Sequence, residues 1–185
     1  LLSYLVREFN DCDVINCPPA KRKYPGETDL LLSCVDLAIL CVPDDAARES
    51  GVMLYNPDVL VVDASTAHRV LPDWAFGFPE MTKGQEQRIA HSRRVSNPGC
   101  WSTCFIALVR PLVDAGLVPA DHELTTWGIS GYSGGGRQMV EEFERGENKS
   151  TVFTYGLKLT HKHLPEMQQS SVLAHPPLFT PSLGS

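Results

Sequence analysis

Two short apolar runs constrain this chain more than anything else in it. They are VDLAILCVP at residues 35–43 and DVLVVD at residues 58–63. Neither alternates polar with apolar residues. A continuous apolar run ended by proline suits a strand buried on both faces of a parallel sheet. Between the runs, Asp44 is placed to cap a helix extending to about Met53. Parallel neighbours need a crossover connection, and a helix of that length supplies one. The pattern predicts the interior of a doubly wound α/β fold. Upstream, CDVIN (12–16) reads as a short strand and Glu27 to Ser33 as a short helix. Residues 1–10 carry Leu1, Leu2, Leu5, Val6 and Phe9 at helical spacing, like the tail of an amphipathic helix. A nucleotide-binding domain of this type opens with a strand and a Gly-rich turn before its first helix. The expectation is that those parts precede Leu1.

The character changes near Cys100. Phe105, Ile106, Leu108, Val109, Leu112 and Val113 define a helix with a broad buried face, expected to kink or break near Pro111. ELTTWGIS (123–130) alternates and is rich in Thr, so a strand is predicted, then a flexible loop over Gly131–Gly136 and a helix over Gln138–Glu144. The Pro-rich end, LFTPSLGS, carries no obvious finishing element. The organisation expected is therefore α/β. Residues 1–99 form part of a Rossmann-type doubly wound domain, and residues 100–185 part of an α+β substrate and dimerisation domain.

Charge and cysteine usage narrow the function classes. Sixteen basic against 22 acidic residues leave a net charge of −6. An acidic chain without a long basic run is a poor nucleic-acid binder. No apolar stretch approaches the roughly 18 residues of a membrane span. The six cysteines, Cys12, Cys17, Cys34, Cys41, Cys100 and Cys104, form no C-x-x-C pair, so neither a zinc site nor a dithiol redox centre is suggested. A reducing, cytoplasmic setting fits this usage.

The segment SNPGCWSTC (96–104) carries the most chemistry. Asn97-Pro98-Gly99 makes a tight turn and delivers Cys100 to the start of a helix. Backbone N–H groups and the helix dipole there favour a thiolate, and the same N–H groups can receive an oxyanion. The alternative is a buried structural cysteine, which is common. Cys104, one turn later, is expected to pack in the core. HKHLPEM (161–167) sets His161 and His163 about Lys162. A thiol enzyme needs an acid/base near neutral pH, and histidine is the natural choice. The pair also has metal-binding spacing, but no third ligand is evident. GYSGGGRQM (131–139) combines glycines that let a ligand approach the backbone with the charge of Arg137. DASTAHR (63–69) follows the second buried strand, where open α/β sheets bind ligands, which puts Arg69 in a place to hold phosphate.

CVPDDAARES, VVDASTAHRV, FGFPEM, SNPGC, FIALVRPLVDAGL, SGYSGGGRQM and HKHLPEM occur in order along nearly the whole chain. Together they resemble the N-acetyl-gamma-glutamyl-phosphate reductase family of arginine biosynthesis, in its shorter form. The resemblance implies a cysteine that attacks an acyl phosphate, and a thioester reduced to an aldehyde at the expense of NADPH. It implies Cys100 as nucleophile and His163 as acid/base, with His161 nearby and Asn97 helping to hold the oxyanion. Arg69, Ser133 and Arg137 are implied for the substrate, and Val42, Pro43, Ser65, Gly134 and Gly135 for the cofactor. Lys21-Arg22-Lys23 falls where the adenosine 2′-phosphate would lie. No acidic residue directly follows the CDVIN strand, which favours NADP(H) over NAD. A homo-oligomer is implied for the full-length protein, and no metal. One departure from the family pattern is Trp101-Ser102, where an aromatic residue and proline are usual. Three rival readings remain: an aspartate-semialdehyde dehydrogenase-like enzyme, a non-catalytic fragment, and a cysteine hydrolase needing no nicotinamide.

Overall fold

Strand β1 (Leu37–Leu40) and strand β2 (Leu60–Asp63) run parallel, with Leu37 opposite Leu60 and Leu40 opposite Asp63. This is a computed structural model, and it describes residues 13–18, 30–32, 34–53, 58–146 and 151–184. Helix α1 (Asp44–Met53) makes the crossover between the two strands. The first apolar run therefore forms a strand as expected, though a shorter one than the run, and the Asp36 carbonyl just before it still accepts Leu60 N–H at 3.0 Å. Strand β3 (Ala75–Phe76), helix α2 (Gln85–His91) and strand β4 (Arg94–Ser96) follow. The first sheet has the order β1-β2-β4-β3, all parallel. Its core is Ala38, Leu40, Val59, Val61 and Trp74.

Helix α3 (Cys100–Asp114) is continuous through Pro111 rather than broken there. Proline removes one hydrogen bond near the end of the helix, and the last turn closes on other partners: Ala115 N–H on the Pro111 carbonyl and Leu117 N–H on that of Leu112. Strand β5 (Thr125–Gly131) leads into a single 3₁₀ turn (Tyr132–Gly135), then helix α4 (Arg137–Glu144), strand β6 (Val152–Thr154) and helix α5 (Leu164–Ser170). Strand β7 (Leu178–Gly184) ends the fold. It lies between the other two strands of the second sheet, parallel to β5 and antiparallel to β6.

Three expectations need correction. LFTPSLGS, read as lacking a finishing element, supplies the central strand β7; its Phe179, Pro181 and Leu183 alternate inward and are buried. Pro181 within it, and Pro176 and Pro177 just before it, mask the period-two pattern. Pro181 still serves as an acceptor there: its carbonyl receives Tyr155 N–H at 3.0 Å, one residue past the end of β6. The loop over Gly131–Gly136 is ordered into the 3₁₀ turn. Of the proposed CDVIN strand, residues 13–16 are described and are irregular and exposed. The amphipathic segment at 1–10 and the Lys21-Arg22-Lys23 cluster lie outside the described residues, and of the Glu27–Ser33 helix only 30–32 is described, as helix.

The second core is Phe105, Leu164, Met167, Leu173 and Phe179, where α3 and α5 pack on one face of the second sheet. The opposite face is open. Trp127 is 71% exposed and Ile129 57%, and the register places Leu178 and Val152, both also exposed, on the same side.

Candidate active site

Cys100 is the first residue of α3 and is exposed. The turn that delivers it is anchored on both sides. Asn97 N–H donates to the Asp63 carbonyl at 2.7 Å, which ties the turn to the end of β2. The Gly99 carbonyl accepts the Ser102 hydroxyl at 2.8 Å, the Thr103 hydroxyl at 2.9 Å and Thr103 N–H at 2.9 Å. Ser102 is fully buried, so the serine found where the family usually has proline closes the first turn from inside. Trp101 donates its indole N–H to the Tyr155 hydroxyl at 3.1 Å and meets Phe179 edge-on. It rests against β5 at Gly128, where any Cβ would overlap the indole.

Cys104 lies four residues on, so it shares the face of Cys100 and is also exposed, not packed as expected. The buried face of α3 belongs to Ser102, Phe105 and Ile106.

His163 is buried and sits directly behind Gly99. A Cβ on Gly99 would come 2.6 Å from His163 Nε2 and 2.7 Å from Arg69 Nη1. Burial, followed by the charges of His161, Arg69 and Lys162, pushes the His163 pKa down to about 3, so the ring is neutral near pH 7. Its Nδ1 is buried without a hydrogen-bond partner. The His163 backbone N–H donates to His161 Nδ1 at 3.1 Å, which makes that nitrogen an acceptor and places the His161 proton on Nε2. His161 packs edge-on against both His163 and Phe179, and burial lowers its pKa.

Two residues not anticipated from the sequence complete the cluster. Glu166, 1% exposed, accepts Arg69 Nη1 at 2.6 Å on one oxygen and Gly99 N–H at 3.1 Å on the other. It stands three residues after His163, at the spacing that puts two helical side chains on one face. That was the available signal. Tyr155 has its pKa raised by burial, and it senses the charge of Cys100. No spacing rule links it to Cys100, because the residue after β6 and the first turn of α3 meet only in the fold, through Trp101.

Arg69 is brought to the site, but its guanidinium is engaged. One nitrogen bonds Glu166, another the Ala64 carbonyl at 3.2 Å, and Nε is buried without a partner. Removing one partner of such a buried pair costs on the order of 3–5 kcal/mol. Its loop is set by Asp63, which accepts Ser65 N–H at 2.9 Å, the Ser65 hydroxyl at 2.7 Å and His68 Nδ1 at 2.7 Å. The hydroxyl of Ser65 also receives Ala67 N–H at 3.1 Å, so this candidate cofactor ligand is occupied within its own loop. Asp44 joins the same loop: its carboxylate takes the Thr66 N–H and hydroxyl, and that hydroxyl holds its pKa below the ordinary value.

A cavity of about 290 Å³ opens beside this cluster, lined by Arg48, Thr66, Arg69, Lys162, Pro165 and Glu166, among others. Val42, half-buried on the first core, and exposed Pro43 edge the carboxyl end of β1. The amide of Asn97 is exposed and reaches the Pro98 carbonyl at 3.3 Å. Ser133, Gly134 and Gly135 lie exposed in the 3₁₀ turn beyond β5, which packs on α4 and β7. Arg137 opens α4, and its side chain lies outside the described part, as does Arg22.

Comparison with known proteins now has a geometry to refer to. Residues 100–185 match the family model described as semialdehyde dehydrogenase, dimerisation domain. The chain is 51% identical over 179 residues to an N-acetyl-gamma-glutamyl-phosphate reductase of Chelativorans sp. (strain BNC1), covering 96% of this chain and 58% of the relative. It is 48% identical to the enzyme of that name from Mesorhizobium japonicum, covering 98% of this chain and 59% of the relative. The chain thus spans under two thirds of the length of these relatives. Among solved structures, aspartate semialdehyde dehydrogenase II from Vibrio cholerae superposes with a TM-score of 0.61 at 15% identity, over 83% of this chain and 52% of that one. The aspartate semialdehyde dehydrogenase of Francisella tularensis gives 0.59 at 10% identity, over 100% of this chain and 68% of that one. The structural likeness speaks for the fold alone, and the sequence likeness is specific: residues 100–185 match the semialdehyde dehydrogenase dimerisation domain, and nearly the whole chain is about half identical to part of several N-acetyl-gamma-glutamyl-phosphate reductases.

Proposed function

We propose that the complete protein reduces N-acetyl-gamma-glutamyl phosphate to N-acetylglutamate semialdehyde with NADPH, releasing phosphate, as a cytoplasmic step of arginine biosynthesis. The observation that carries this reading is an exposed Cys100 at the first turn of α3, with the neutral ring of His163 packed behind Gly99. It stands in a chain about half identical to reductases of that name.

His163 takes the thiol proton of Cys100 as the thiolate adds to the acyl carbon, the charge of the new thiolate offsetting the burial that holds the imidazole pKa down. The first N–H groups of α3, with the amide of Asn97, receive the resulting oxyanion. Its collapse breaks the bond to phosphate and leaves a thioester on Cys100. NADPH supplies a hydride to the thioester carbon when bound. The proton held on His163 then neutralises the thiohemiacetal oxygen. Its return to His163 accompanies cleavage of the C–S bond, which frees aldehyde and thiolate. The apolar edge made by Val42 and Pro43 fits a nicotinamide ring at the carboxyl end of the parallel sheet, where this fold class binds nucleotides. Arg48 and Lys162 bring positive charge to the neighbouring cavity and suit a phosphoryl group, and Arg69 acts there through its pair with Glu166. Residues 1–99 serve as part of the nucleotide-binding domain and 100–185 as part of the catalytic and substrate domain, whose open sheet face pairs two copies. Ser133, Gly134 and Gly135 lend exposed backbone to substrate and cofactor, with Arg137 adjoining and Arg22 serving the 2′-phosphate.

The test is consumption of NADPH by complete protein supplied with the acyl phosphate. Cys100→Ser abolishes turnover while NADPH still binds. Turnover in that variant, or a preference for aspartyl phosphate over the acetylglutamyl substrate, overturns the reading.

A further inference from the structure

We infer that Glu166 is a positioning residue, which presents Cys100 by holding the backbone N–H of Gly99 while anchoring Arg69. This rests on the reading of Cys100 as the reactive thiol.

Gly99 immediately precedes Cys100, and its peptide groups are bonded on both sides. Its carbonyl is held by three donors from the first turn of α3. Those bonds come from the same helix and only fix the turn relative to itself. Its N–H has a different partner, Glu166 Oε2, 67 residues further along the chain at 3.1 Å. That bond docks the nucleophile's turn onto α5, the helix whose N-terminal neighbour is His163. Thiol and imidazole are thereby brought into register by one carboxylate.

The second oxygen explains why a carboxylate stands there. Arg69 Nη1 lies 2.6 Å from Glu166 Oε1, and a Cβ on Gly99 would meet the same Arg69 nitrogen. An amide offers one acceptor oxygen and an NH₂ that would face the guanidinium donor to donor. Only a carboxylate serves Gly99 and Arg69 at once. Glu166 is 1% exposed, so water cannot replace either bond.

The experiment uses complete protein and no substrate, so it is independent of which acyl phosphate is reduced. Iodoacetamide labelling is followed by peptide mapping, and the rate at Cys100 is read against that at Cys104. Cys104 is one turn along the same exposed face and serves as an internal control. Two double variants are compared: Arg69→Met with Glu166→Gln, and Arg69→Met with Glu166→Ala. Neither leaves a lone buried cation, and they differ in whether Gly99 N–H keeps an acceptor. The Cys100-to-Cys104 ratio is expected to be about tenfold lower in the alanine double, in line with the sensitivity of reactivity to small misplacements. Equal ratios overturn the proposal, since a merely structural Glu166 would change both thiols together. The single variant Glu166→Gln gives a second reading that needs no alanine: its one oxygen cannot serve both partners, so the ratio falls severalfold from wild type, and an unchanged ratio again overturns it. A shift in these ratios with no turnover of acyl phosphate would reject the proposed reaction and leave the positioning role standing.

Discussion

His163 and Gly99 adjoin so closely that a methyl group on Gly99 would lie 2.6 Å from the imidazole Nε2. The residue before the candidate nucleophile is therefore a glycine because of tertiary packing. Its own backbone is ordinary extended conformation, at φ −70° and ψ 145°, which any residue adopts.

Gly99→Ala tests that contact. The new methyl must displace either His163 or Arg69, both held in buried positions. Overpacking of this kind costs about 1–3 kcal/mol. The expected outcome is a lower melting temperature together with slower alkylation of Cys100. Unchanged labelling with a lowered melting temperature would mean that His163 moves without consequence for the thiol.

Among the cysteines, Cys100 should alkylate first near neutral pH. Among the described cysteines it alone opens a helix, one of fifteen residues, where the N–H groups and dipole favour a thiolate. Cys104 is also exposed to solvent but lies a turn inside the helix. Peptide mapping after brief iodoacetamide treatment decides the order. Labelling of Cys104 or Cys34 ahead of Cys100 would remove the assignment of the nucleophile.

The acid sensitivity of the fold should depend on His163. In the unfolded chain its ring protonates near 6.5, and in the folded chain burial and the neighbouring charges of His161, Arg69 and Lys162 push this down to about 3. Between those values the unfolded state binds the extra proton. The stability linked to this ring is complete above pH 6.5 and is lost as pH falls towards 3, amounting to roughly 3 kcal/mol at pH 4. Urea unfolding near neutral pH and at pH 4 would show a smaller acid loss in His163→Gln than in wild type. Equal losses would place the acid sensitivity elsewhere.

The open sheet face makes a prediction about assembly. Trp127, Ile129, Val152 and Leu178 expose apolar surface side by side on the second sheet, within the segment that matches a dimerisation domain. Trp127→Glu in the complete protein should reduce the mass measured by light scattering towards that of a monomer, with the circular dichroism spectrum retained. A mass equal to wild type would move the interface off this face.

Local pattern was enough for much of the fold. The runs at 35–43 and 58–63 are apolar on both sides, and only a strand covered on two faces accepts that, so β1, α1 and β2 were legible. The apolar face of α3 was legible only in part, since Phe105 and Ile106 are buried but Leu108 is 73% exposed and Leu112 42%; Cys100 at the start of the helix was legible. β7 was not, because Pro176, Pro177 and Pro181 read as loop, and proline donates nothing to a ladder. Its partners β5 and β6 are distant in sequence.

For the site, residue type and spacing determined which groups have the chemistry: a cysteine after a tight turn, and histidines at 161 and 163. The fold decided their roles. Arg69, read from the sequence as open to phosphate, is paired with Glu166, and Ser65 is occupied by Asp63. Glu166 and Tyr155 entered only through the fold. Periodicity reports which face of a segment avoids water, over a few residues. A buried hydrogen bond between residues 99 and 166 depends on the packing of α3 against α5, and no local pattern carries that distance.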